Sequence, residues 1–169
     1  MIGAAGELYV YELLSNRNTE LPDFSQEDWR SNIKKYVTAL PEYADAPSWT
    51  GDETADFVYD DVKSVLTTLL IKKGYLDKDR WSGRTPTYYI EVKTTAGGCR
   101  NPFFMSNSQY QRMKDITNNF KKVYVICRVY NLGKQSMSCA IYVDPESLRT
   151  KGALKFATEK WVVVPGVPA

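Results

Sequence analysis

The chain contains no histidine. That absence removes the commonest general base, the imidazole ligand of most structural zinc sites, and every Ser-His-Asp or Cys-His arrangement. Cysteine is scarce as well. Cys99, Cys127 and Cys139 form an odd set without CxxC spacing, so the thiols are expected to be reduced, with no disulfide framework. No window approaches the roughly 18 consecutive apolar residues of a membrane span. The opening MIGAAGELYV also lacks the basic-then-apolar layout of a signal peptide. A soluble intracellular protein of the nucleus or cytoplasm, with no membrane partner, is expected. Net charge is small too, at +2, and by itself it does not argue for a polyanionic partner. Chemistry in this chain has to come from carboxylates, lysine or a hard metal ion.

What is present is enough to build a core. The 169 residues are 43% hydrophobic and 25% charged, which suits one globular domain over 1–169, able to bury roughly two-thirds of its unfolded surface. The sequence shows no repeat, and no linker divides it. Charge is unevenly placed: residues 1–85 carry 10 Lys and Arg against 15 Asp and Glu, whereas residues 86–169 carry 12 against 5. The second half is therefore either a basic surface for an anionic partner or ordinary solvated charge.

Apolar spacing predicts a helix over Gly3 to Leu14, with Glu7 on its inward face and the small residues of GAAG allowing close backbone approach. Ser25 and Asp28 have capping-box spacing and predict a second helix carrying Trp29, Ile33 and Tyr36. Residues 39–53 read as a loop, pinned by Tyr43 and Trp49. Thr54 to Tyr59 reads as a strand and Val62 to Lys73 as a helix stopped by Gly74, with a polar connection over 75–86. Thr87 to Lys93 (TYYIEVK) is dense in aromatic and β-branched residues and predicts a central strand. A capped helix follows over Ser106 to Asn119, with Tyr110, Met113 and Phe120 inward. Then come strands over Lys121 to Tyr130 and Ser138 to Val143, a turn at Asp144-Pro145, a short helix, and a last strand over Trp161 to Val164. This order predicts an α/β layer fold with a mixed sheet.

Alternation places Tyr89, Glu91 and Lys93 on one face of the central strand and Tyr88, Ile90 and Val92 on the other. Asp56 adds a second carboxylate in the preceding strand. Mg²⁺ or Mn²⁺ prefers oxygen ligands and keeps several waters, so Asp56, Glu91 and a backbone carbonyl such as that of Val92 would suffice beside a phosphate. Lys93 would then orient water or stabilise transition-state charge. The same residues also read as a structural ion pair, Glu91 with Lys93, and a strand-ending Asp56.

Asp56 followed by Glu91-Val92-Lys93 on a strand resembles the PD-(D/E)xK nuclease-like superfamily, whose core is a helix, three strands, a helix and a further strand. The strings GELYVYELL, ETADFVYDD, TYYIEVKTTAGG and PFFMSNSQYQRM more specifically resemble the C-terminal domain of NO VEIN proteins, over about Gly3 to Tyr130. That resemblance implies a three-layer restriction-endonuclease-like fold, a central mixed sheet flanked by helices. It implies a C-terminal domain excised from a larger protein, often one with a histidine-kinase-like (GHKL) ATPase region as an intramolecular partner. It also implies Asp56 and Glu91 as metal-binding acids and Lys93 as the active-site lysine. Glu7 matches an acidic position on the first helix, and Gln109 a polar position near the scissile phosphate. The sequence departs from the motif in carrying Ala55 where a proline is usual and in placing about 35 residues between Asp56 and Glu91.

Each supporting residue has a plainer role open to it. Glu7 could pair with Lys93 across the core, and Gln109 could serve only as the partner of Ser106 in a capping box. Arg100, Arg112, Lys114, Lys121 and Lys122 could grip phosphates or be solvated, and Tyr110 could stack a base or fill the core. Two functions therefore stand: a metal-dependent nuclease hydrolysing nucleic-acid phosphodiesters by metal-activated water, or a catalytically inactive nuclease-fold module that binds nucleic acid or a partner domain in a large multidomain protein. DNA or RNA preference would be set by loops 41–53 and 75–86.

Overall fold

The computed structural model describes residues 2–16 and 21–157. The strand expected at Trp161 to Val164 lies outside them. Helix α1 (Ile2–Ser15) is followed by 3-10 turns at Lys34–Ala39 and Pro41–Tyr43. Then come β1 (Phe57–Asp60), α2 (Val65–Lys72), α3 (Lys78–Trp81), β2 (Thr87–Thr94), α4 (Asn107–Ile116), β3 (Lys122–Tyr130), β4 (Ser138–Val143) and α5 (Pro145–Thr150). The four strands form one mixed sheet in the order β1-β2-β3-β4, antiparallel, parallel and antiparallel across its three pairings. The protein is thus α/β, a four-stranded mixed sheet flanked by helices. No helix among the described residues is long and apolar enough to cross a membrane.

The alternation of β2 divides the core. Tyr88, Ile90 and Val92 pack with Ala4 and Val10 of α1 and Leu66 and Leu70 of α2 on one face. Tyr89 turns to the other face, where Met113 and Ile116 of α4 meet Tyr124 and Ile126 of β3. Because β2 and β3 are parallel, the chain must cross over between them, and α4 is that crossover. Helix α1 comes close to the sheet at Gly6, where a Cβ would stand 1.8 Å from Thr94 Oγ1, so the small residue makes room for a side chain of β2 where a neighbouring backbone was expected.

The second helix expected from Ser25 and Asp28 does not form. The capping spacing closes as a local turn instead: Ser25 N donates to Asp28 Oδ2 at 2.8 Å and Glu27 N to Ser25 Oγ at 3.2 Å. The backbone then runs extended, pairing Trp29 with Phe57. Val58 N donates to Asp28 O at 2.9 Å and Arg30 N to Asp56 O at 2.8 Å. These bonds cover the outer edge of β1 and bury Trp29, which outweighs a local helical preference. Only Lys34–Ala39 turns helically, as 3-10. The polar connection over 75–86 is not irregular throughout, since α3 forms within it, capped by Asp77. Phe120, expected on the inner face of the capped helix, lies beyond the end of α4 and packs against Trp81, ring centroids 5.6 Å apart.

Asp61 holds the start of α2. Its Oδ1 accepts from Val65 N at 2.8 Å and Leu66 N at 3.2 Å, and its Oδ2 from Thr67 N and Thr67 Oγ1, each at 2.8 Å. Asp61 is fully buried, so removing it strands several helix-terminal donors away from water. The variant Asp61→Ala is expected to lose about 2 kcal/mol of stability, read as a lower denaturant midpoint at unchanged m-value. A midpoint equal to that of the wild type would show the cap to be dispensable.

Candidate metal and phosphodiester site

The register of β1 and β2 builds the site. Phe57 lies opposite Ile90, so Asp56, one residue before β1, comes alongside Glu91 despite the long excursion through α2 and α3. Asp56 Oδ2 accepts from Val92 N at 2.6 Å. Asp56 therefore lies in the plane of the sheet at the end of β1. On the face covered by α4, Glu91 Oε1 accepts from Lys93 Nζ at 2.9 Å and from Gln109 Nε2, while its Oε2 faces the Tyr124 hydroxyl at 3.5 Å. Lys93 Nζ also donates to Gln109 Oε1 at 3.0 Å.

Gln109 is the capping partner of Ser106, and its side chain also reaches β2. Its backbone N–H donates to Ser106 Oγ at 3.2 Å and its Oε1 accepts from Ser106 N at 2.9 Å, closing the capping box of α4. The same side chain then bridges Glu91 and Lys93. Glu7 is buried on the inward side of α1, as expected. It is not paired with Lys93; its Oε2 accepts from Trp29 Nε1 at 2.8 Å and its Oε1 from Ser31 Oγ at 3.1 Å. It also lies within hydrogen-bonding reach of Asp56, so α1 brings it to the acids from the opposite face of the sheet.

Three buried carboxylates, Glu7, Asp56 and Glu91, thus lie near one another, with Lys93 paired to Glu91. Burial raises the Asp56 carboxyl well above its ordinary value, and repulsion from Glu91 and Glu7 adds to this, with the Val92 N–H and Lys93 opposing. Burial likewise pushes Glu7 up to about 7, against the hydrogen bonds from Trp29 and Ser31. Burial first, and the Glu91 charge second, keep the Tyr124 phenol protonated. Burial and mutual repulsion thus favour the protonated forms of Asp56 and Glu7.

Among the described residues no three or more Cys, Asp or Glu side chains are arranged to hold a metal. A metal would have Asp56, Glu91 and one backbone carbonyl, a small donor set of the kind Mg²⁺ accepts because it retains waters. The Val92 carbonyl suits the third place: it lies on the same edge of β2 as the N–H that bonds Asp56, beyond the last pairing with β1. The donor chemistry fits.

The proposed phosphate rim is largely dispersed. Arg112 is engaged by the Thr54 carbonyl. Lys122 pairs with Thr87 at the far end of β2 from Lys93, about 20 Å along the strand, and Lys121 lies beside it. Tyr110 packs against Phe156, ring centroids 5.8 Å apart. Arg100 and Lys114 are exposed. Sequence reasoning passed over Trp29, Ser31 and Tyr124. Tyr124 stands two residues from Ile126, the partner of Glu91, and the period-two alternation of β3 would have found it once the register was known.

No curated protein and no solved structure matches the chain. A family described as "Protein NO VEIN, C-terminal" matches residues 48–142. That span is more than half the sequence and takes in Asp56, Glu91, Val92, Lys93 and Gln109, whereas the GELYVYELL string with Glu7 lies outside it. The chain carrying this acid cluster at the β1–β2 junction belongs to the NO VEIN C-terminal family.

Proposed function

We propose that residues 1–169 form one nuclease-like domain that hydrolyses nucleic-acid phosphodiesters with Mg²⁺ or Mn²⁺. The observation that supports this best is the placement of Asp56 beside Glu91 and Val92, with Lys93 and Gln109 joined to Glu91 on the adjoining face. Asp56, Glu91 and the Val92 carbonyl would hold the ion. When bound, it supplies a means of activating water and of offsetting charge that develops on phosphorus. Lys93, held between Glu91 and Gln109, would face the phosphoryl oxygens, with Gln109 fixing its ammonium group. Glu7, within hydrogen-bonding reach of Asp56, would orient that carboxyl group from behind.

One observation favours a second reading. Glu91, Lys93 and Gln109 already satisfy one another, as they would in an inactive module that binds nucleic acid or docks on a neighbouring domain, such as an ATPase region of a larger protein. Binding to nucleic acid that needs no metal, together with absent cleavage, would identify that module.

Calorimetric titration of Mg²⁺ and Mn²⁺ separates the two. The wild type is expected to bind with proton release, and Glu91→Ala to bind at least roughly tenfold more weakly. A folded wild type that takes up no metal, or a Glu91→Ala variant that binds as well, rules out the metal-dependent reading.

A further inference from the structure

Beside Lys93 the structure holds a cavity of about 270 Å³, walled by Lys93 and Arg128, two threonines and the loop residues Pro102, Phe103 and Phe104. No acid lines it. Lys93 and Arg128 are direct partners across the parallel β2–β3 pairing, so their side chains leave the same face of the sheet as neighbours. Like charges so placed repel. Lys93 is answered by Glu91 at 2.9 Å, but Arg128 has no carboxylate among its hydrogen-bond or ion-pair partners in the described residues. Its Nη2 donates to the Asn101 carbonyl at 3.0 Å, and its Nε, although buried, has no partner.

Arg128 is 1% exposed. A guanidinium so buried, with an unsatisfied donor and a second cation beside it, is costly unless an anion answers it. The Phe103 ring lies 5.1 Å from its central carbon and offers only the weaker attraction of an aromatic face. Phe104, the next residue, is 68% exposed, the most exposed of the large apolar side chains described. A planar cation suited to phosphate, beside an aromatic ring open to solvent, is the pairing that holds single-stranded nucleic acid. A duplex keeps its bases stacked and cannot present one to Phe104.

We propose that this cavity is a subsite for single-stranded nucleic acid, taking a backbone phosphate on Arg128 next to Lys93 and stacking the adjoining base on Phe104. The proposal deepens the nuclease reading by naming the form of its substrate, and it rests on that reading for the position of the scissile phosphate. The subsite itself needs no metal, and this keeps the two separable.

The test is fluorescence anisotropy of labelled oligo(dT) and oligo(U), roughly 12 nucleotides long, with the full chain in chelator. The wild type is expected to bind one or both, and unlabelled duplex to compete poorly. Phe104→Ala is expected to weaken binding about tenfold, the scale of one lost base stack; its exposure makes a folding defect unexpected. Arg128→Met, which keeps the buried stem, is expected to reduce the slope of log affinity against log salt by about 0.7, one phosphate contact on a single strand. If Arg128→Met fails to fold, Phe104→Ala decides alone. No binding by the wild type, equal binding by Phe104→Ala, or duplex competing as well as single strands overturns the proposal. Single-strand binding that depends on Phe104, without cleavage in Mg²⁺, upholds the subsite and overturns the nuclease.

Discussion

Glu91→Gln is expected to lower Mg²⁺-stimulated phosphodiester cleavage by at least roughly 10²-fold, the scale on which one preorganised charge acts in a dry site. The substitution keeps the size and one acceptor of the side chain, so the contact from Lys93 or Gln109 can persist. What it removes is the negative charge that would share the cation with Asp56 and the counterion of Lys93. Because Lys93 then loses its ion-pair partner, the thermal midpoint is expected to fall, and cleavage is compared at a temperature at which both proteins are folded. The measurement is cleavage of plasmid DNA and of single-stranded RNA and DNA, with and without Mg²⁺, by both proteins at matched concentration. Cleavage by Glu91→Gln at the wild-type rate would remove Glu91 from the chemistry. Cleavage absent from both proteins would leave the module reading of the site.

Stability is expected to fall as pH rises from 4.5 to 7, the reverse of the usual behaviour of ion-paired carboxylates. Glu7 has its pKa raised in the folded protein to about 7 from an ordinary 4.5. Between these values the native state binds more protons than the unfolded chain, so each rise in pH favours unfolding. The contribution is complete below 4.5 and lost by the time pH passes 7, amounting to about 3 kcal/mol for a shift of this size. Asp56, raised by burial and by its acidic neighbours, works in the same direction. Denaturant unfolding at pH 5 and pH 8 measures the sum. The difference between wild type and Glu7→Gln reports the Glu7 share together with its effect on Asp56, because the amide cannot ionise and can still accept from Trp29 or Ser31. A wild type that gains stability from pH 5 to 8 relative to Glu7→Gln would show that Glu7 is charged in the fold at low pH.

The two predictions draw on the same geometry, and that geometry was only partly legible beforehand. Glu91 and Lys93 could be placed on one face because strand alternation is local and TYYIEVK is dense in strand formers. The capping box of Ser106 and Gln109 was legible for the same reason: its partners are three residues apart. By contrast, Ser25 and Asp28 carry a similar spacing and form no helix, because the next residues are drawn onto the edge of β1. Local propensity there is worth less than burying Trp29 and pairing an open strand edge.

What the sequence determined by itself was whatever depends on neighbours a few residues away: the helix of α1 with Glu7 turned inward, the character of β2, the caps, and the exclusion of histidine chemistry. What only the tertiary structure decided was which distant residues meet. The register of β1 against β2 sets Asp56 beside Glu91 across more than thirty intervening residues. The packing of α1 brings Glu7 to Asp56, and the parallel pairing of β3 sets Arg128 next to Lys93. Strand register is fixed by the burial of whole faces, a sum over many side chains, so no short motif carries it. The perturbed acidities follow from the same source, since burial and charge proximity exist only once the layers have closed.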